Sequence, residues 1–109
     1  AKTNFSSLDT LAVLEKVVAL PISRWNYKTD ASSLNHIGPM AQDFHAAFGL
    51  NGSDDTHINA VDAQGVALAA IQGLNAKLER SNQKLQAENA RLRALLANLE
   101  ARLSKLERR

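Results

Sequence analysis

IQGLNAKLERSNQKLQAENARLRALLANLEARLSKL, residues 71–106, decides the architecture of this chain. No proline interrupts it, and isoleucine or leucine returns every seventh position, at Ile71, Leu78, Leu85, Leu92, Leu99 and Leu106. Taking these as the d positions of a heptad makes Leu68, Asn75, Asn82, Asn89, Leu96 and Leu103 the a positions. A seam of this period is the mark of helices from separate chains packing along a shared axis. The flanking charges suit parallel pairing: Glu88 at g can meet Arg93 at the following e, and Arg102 can meet Glu107. From Ala63 to about Arg108 the helical pattern is unbroken, which at 1.5 Å per residue predicts a helix of roughly 70 Å. That is too long to be a buried core helix of so small a domain.

Three consecutive asparagines at a need a physical reason. Each replaces an apolar side chain whose burial would contribute on the order of 1.5 to 3 kcal/mol. The return is specificity, because an amide at this position is satisfied only by an amide at the same level on a neighbour. A slip of register would set polar groups against leucine. The heptad alone does not fix the number of strands.

Upstream of the seam, VALAAIQGL (66–74) is apolar nearly all round, as expected where a head packs about the start of a stalk. Asp9 is a good N-cap for a helix over TLAVLEKVVAL (10–20), which must stop before Pro21. ISRWNYK (22–28) puts Trp25 and Tyr27 on one face of an expected strand, and LNHI (34–37) can pair back across a loop. In HIGPMAQDFHAAFGL (36–50), Gly38 and Pro39 fit N-cap and N1 of a short helix. Met40, Phe44 and Phe48 recur along one side of it, and Gly49 fits its C-terminal cap. NGSDD (51–55) is a turn, THINAV (56–61) another short strand, and Asp62 the cap of the long helix. The expected fold is mainly α: a small helical head with a few short strands (1–65) on a long C-terminal helix (66–109) forming a parallel coiled coil.

A chain of 109 residues buries only a modest share of its surface alone, so help from partner chains is expected. Cysteine is absent, which excludes disulfides and thiolate metal sites. No apolar run approaches the roughly 20 residues of a membrane span, and no secretory signal opens the chain. The sequence reads as soluble, and as a fragment or mature piece. Its net charge of +2 is unevenly spread: residues 1–61 hold four Lys/Arg against six Asp/Glu, and 62–109 hold nine against five. Those basic residues alternate with acids along a helix, the pattern of a solvated face rather than of a nucleic-acid track.

His36, His45 and His57 lack the spacing of a metal-binding helix, and Asp43 and His45 point to different faces. They read as structural or surface histidines. No serine sits in a G-x-S-x-G elbow. Met40, Phe44 and Phe48 read as core rather than as a ligand pocket, while Trp25 and Tyr27 could stack on a base or sugar, a weak signal from one aromatic pair. No metal, cofactor, membrane, nucleic acid or small-molecule substrate is expected. A basic-zipper factor would need a basic helix ahead of the leucines, where GVALAAIQGLNA (65–76) is uncharged.

AVLEKVVALPISRWNYK (12–28), HIGPMAQDFHAAFGL (36–50) and DAQGVALAAIQGLNAKL (62–78) resemble the autocleaving C-terminal intramolecular chaperone domain of phage tailspikes and tail fibres, related bacterial surface proteins and myelin regulatory factor. The resemblance runs from residue 1 to about 78. It implies a homotrimer whose long helices form a three-stranded coiled coil. The a and d residues Leu68, Ile71, Asn75, Leu78, Asn82, Leu85, Asn89, Leu92, Leu96, Leu99, Leu103 and Leu106 would then be the trimer interface.

It further implies an upstream fibre or spike passenger, folded in the bacterial cytoplasm, and a chaperone released after assembly when a Ser-Lys dyad cuts just before the serine. The family pattern places the lysine five residues after the serine. Lys2 matches it, as dyad general base, and the serine would fall four residues before Ala1, outside this sequence. A lysine takes a proton from serine only when neutral, which needs desolvation or nearby positive charge. The residues present therefore resemble the product of the cut, with no turnover expected from them. A permanent trimerisation module without release is the alternative.

Overall fold

The computed structural model describes residues 1–108. Its elements, in order, are α1 (Thr10–Ala19), β1 (Ser23–Trp25), β2 (His36–Gly38), α2 (Ala41–Phe48) and α3 (Ala60–Glu107). The expected class holds: mainly helical, with short strands and one long C-terminal helix. The chain divides into two compact units, one of Ala1–Leu74 and one beginning at Asn75.

In the first unit, α1 begins where the sequence expects it. The Asp9 carboxylate accepts from the backbone N–H of both Leu11 and Ala12 at 3.1 Å, satisfying two of the donors a helix leaves open. It ends with Leu20 in an extended conformation (φ −72°, ψ 123°), the geometry forced on a residue that precedes proline.

The hairpin is shorter than ISRWNYK and LNHI suggest. β1 and β2 pair antiparallel over three residues each, Ser23 with Gly38, Arg24 with Ile37 and Trp25 with His36. Beyond Trp25, side chains take the place of the ladder. The Asp30 carboxylate accepts the Tyr27 N–H at 2.9 Å, and the Asn26 amide donates to the Ser32 and Leu34 carbonyls at 3.3 and 2.6 Å. Backbone groups so satisfied have no need of a strand partner.

α2 also starts later than expected. Gly38 belongs to β2, so Pro39 precedes the cap, and Met40 is the N-cap without a side-chain hydrogen bond. Gly49 does end the helix in the left-handed region, φ 61°, donating its N–H to the His45 carbonyl at 2.8 Å. THINAV is not a strand. Asn59 instead caps α3, its side-chain oxygen accepting the Val61 N–H at 2.9 Å, so the helix begins at Ala60 and Asp62 lies inside the first turn.

The core of this unit is small. Val13 and Leu14 of α1 pack on Ala69 and Ala70 of α3, with Leu11, Val17, Phe48 and Val66 partly buried around them. Phe44 is buried, and its ring lies 5.0 Å from that of Phe48, as a core reading of that stripe requires. Met40 departs from it and is 42% exposed. The second unit is the continuation of α3.

Candidate functional site

Ala63, Val66, Ala69, Ala70 and Gly73 turn α3 toward the rest of the first unit, and Ala69, Ala70 and Gly73 are buried there. In the heptad frame these are b, c and f positions. The a and d residues of the same segment, Leu68 and Ile71, face away and are 64% and 63% exposed. Intrachain packing thus uses one side of the helix and leaves the heptad side bare. In the second unit Leu78, Leu85, Leu92, Leu96, Leu99, Leu103 and Leu106 are each 52–63% exposed, and Asn75, Asn82 and Asn89 are exposed with them.

One member of this row escaped the sequence reading. Val61 stands seven residues before Leu68 and is 72% exposed. With the helix start placed at Ala63, Val61 fell in a strand; with α3 beginning at Ala60, it is the next a position upstream. The signal was Asn59, an N-cap residue type four positions before the residue taken as first in the helix.

Lys2 lies in residues 1–9, which precede α1 and form neither helix nor strand, and it is exposed. Among the described residues the ion pairs are His36 with Asp30 and His57 with Asp54, so Lys2 takes no part in one. Asn4 in this segment has positive φ, 55°.

Each histidine has a partner of its own. His36 Nε2 lies 3.1 Å from Asp30 Oδ2 and its ring packs against Trp25 and Tyr27, with centroids 5.1 and 5.2 Å away. His45 Nε2 is 2.9 Å from the Gly52 carbonyl, which ties α2 to the turn that follows. His57 Nδ1 is 3.0 Å from Asp54 Oδ2, and Asp54 also accepts the Thr56 N–H and hydroxyl. Those Thr56 bonds, the backbone one foremost, with a smaller contribution from His57, hold the Asp54 carboxyl down at about 2. Among the described residues no three His, Cys, Asp or Glu side chains group as metal ligands.

Trp25 and Tyr27 meet edge to face, 4.9 Å between centroids, and the indole N–H donates to the Gly38 carbonyl at 3.3 Å. With Met40, Pro39 and Ile58 they border an open groove of about 410 Å³. The indole N–H and one edge of this cluster are already engaged within the chain, which accounts for the aromatic pair as a brace of the hairpin. No helix among the described residues is long and apolar enough to cross a membrane.

The first unit has a small core, and its longest helix keeps a heptad row uncovered. Residues 1–52 match the family model described as chaperone of endosialidase, which supports the resemblance carried by the strings of the hairpin and α2. The match ends short of α3. No curated protein and no solved structure matches the chain.

Proposed function

We propose that the chain is an intramolecular chaperone that gathers three copies of itself through α3, aligns the C-termini of an upstream fibre or spike protein while it folds, and is then released by self-cleavage. The observation that carries this reading is the two-sided use of α3. The head packs on b, c and f positions and leaves Leu68 and Ile71 open, and the same row runs on through exposed leucines to Leu106. So large a set of exposed apolar side chains at heptad spacing is stabilised only by partners bringing the same row. Aligned asparagines at 75, 82 and 89 favour identical chains in parallel and in one register.

Holding three C-termini together converts a termolecular encounter into a local search at effective concentrations that can reach about millimolar. That favours passengers of slow, non-local β-topology, whose chain-closure entropy delays folding. In the release step Lys2, as general base, takes the proton of the upstream serine hydroxyl. The oxygen attacks the carbonyl carbon preceding the serine, the C–N bond breaks, and the proton passes to the departing amine. Water then hydrolyses the resulting ester. Light scattering on the chain tests the assembly: the expected particle has three times the 11.8 kDa chain mass, and a monomer at micromolar concentration refutes the reading.

A further inference from the structure

Of the asparagines in this chain, Asn51 alone is followed by glycine. The pair lies in the loop between α2 and α3, and both residues are exposed. Both also hold positive φ, 70° at Asn51 and 60° at Gly52. A Cβ built on Gly52 would meet nothing within 4 Å, so open space surrounds this peptide bond. Among the described residues the Gly52 N–H donates no hydrogen bond, whereas the Asn51 carbonyl accepts the Asp54 N–H at 3.2 Å. The Asn51 amide donates to the His57 carbonyl at 3.4 Å, a long bond that places the side chain without burying it.

These features suit an attack by the backbone on the side chain. Loss of the Gly52 N–H proton leaves a negative charge shared with the Asn51 carbonyl oxygen, and the Asp54 N–H donated to that oxygen favours the charged form. The Gly52 nitrogen then bonds to Cγ of Asn51 and closes a five-membered imide. The bond from Cγ to Nδ2 breaks, and the departing nitrogen takes up protons and leaves as ammonia. Water opens the imide at either carbonyl, giving aspartate, or isoaspartate in which the chain runs through Cγ. Glycine assists because it has no Cβ to obstruct the closure and adopts either sign of φ.

We propose that Asn51 is a site of self-modification in the folded head: its amide is lost to the Gly52 nitrogen, and a carboxylate takes its place in the loop between α2 and α3. The inference goes beyond the assembly proposed above and does not rest on it. The product cannot donate to the His57 carbonyl, and it adds a negative charge to a loop that already holds Asp54 and Asp55. Isoaspartate also puts an extra backbone carbon between Gly49, which ends α2, and Asn59, which caps α3. That displaces the Gly52 carbonyl from His45 Nε2, now 2.9 Å away. The modification therefore unties this loop, and it runs one way.

The test keeps the purified chain at neutral and at mildly alkaline pH beside Asn51→Gln, and follows peptides from both by mass spectrometry. Each conversion adds about 1 Da. Asn51 should gain that mass at least about tenfold faster than each other asparagine, a barrier difference of about 1.4 kcal/mol. The rate should rise with pH, because the attacking nitrogen must lose its proton. Asn51→Gln keeps the glycine and the turn but would have to close a six-membered ring, so its loop should gain no mass over the same time.

The modified chain, separated by anion exchange, should melt about 4 °C or more below the fresh chain, as loss of one hydrogen bond gives in a unit of this size. Aged Asn51→Gln should melt as it does when fresh. Conversion at Asn51 no faster than at the other asparagines overturns the inference, as does an equal mass gain in the Asn51→Gln loop. An unchanged melt of the separated product overturns the untying of the loop.

Discussion

Replacing Asn75, Asn82 and Asn89 together by isoleucine tests the heptad frame most directly. All three side chains are exposed, and the apolar a and d residues around them are 52–64% exposed, so about half of each surface is there for partner chains to cover. Fully burying an isoleucine contributes roughly 1.5 to 3 kcal/mol, so half burial is worth about 1 kcal/mol. The amides being replaced return little more than they lose from water, since a layer of three cannot satisfy every donor and acceptor. Nine new isoleucines per trimer then sum to on the order of 5 to 10 kcal/mol. Spread over three chains that is roughly 2 to 3 kcal/mol per chain of about 100 residues, and at about 4 °C per kcal/mol Tm should rise by roughly 10 °C. Melts followed by circular dichroism measure this at fixed chain concentration. Sedimentation of the same samples should reveal mixed chain numbers as register control is lost. A Tm that stays level or falls would mean the asparagines do not occupy a shared axis.

Asp9→Ala removes the two bonds that open α1 and should cost about 1 kcal/mol, read as a lower denaturant midpoint; an unchanged midpoint would show the cap to be idle. The carboxyl of Asp54 is held at about 2 against an ordinary 3.8, so its stabilising bonds are fully present above pH 4 and are lost as pH falls through 2. An NMR titration should place its midpoint near 2, and Thr56→Ala should raise it; a midpoint near 4 in the parent contradicts the loop geometry. Deleting residues 75–109 from a full precursor should leave its passenger monomeric or aggregated, and recovery of native, uncut trimer would refute the assembly role. Because few residues are buried within one chain, melting of residues 1–109 should shift upward with chain concentration, as it does for any unit completed by association.

The long helix was readable because one period persists over dozens of residues, and α1 because Asp9 and Pro21 mark its ends with chemistry that acts locally. What the sequence did not yield are features set by competition between neighbours. Gly38 and Pro39 form a valid helix start in isolation, but the pairing of Gly38 with Ser23 claims the glycine for a strand. THINAV has the residue types of a strand, yet Asn59 captures the Val61 N–H and starts the helix instead. The hairpin was shortened by Asp30 and Asn26, whose side chains satisfy backbone groups that a ladder would otherwise have used. Gly73 could not be singled out, because its contact with Thr10 joins positions 63 residues apart and leaves no mark on local pattern.

The two sides of α3 within the first unit differ in residue size, and this bears on how folding is ordered. Toward α1 it presents Ala69, Ala70 and Gly73, which let backbones approach closely but carry little apolar area. Away from α1 it presents Val61, Leu68 and Ile71, which carry much more. Free energy of burial follows apolar area, so the larger share available to this helix lies on the side its own chain does not cover. Close approach of small residues specifies position while contributing little stability. A head built this way gains little stability from its own packing on α3. If the chains assemble as proposed, folding of the head is coupled to that assembly.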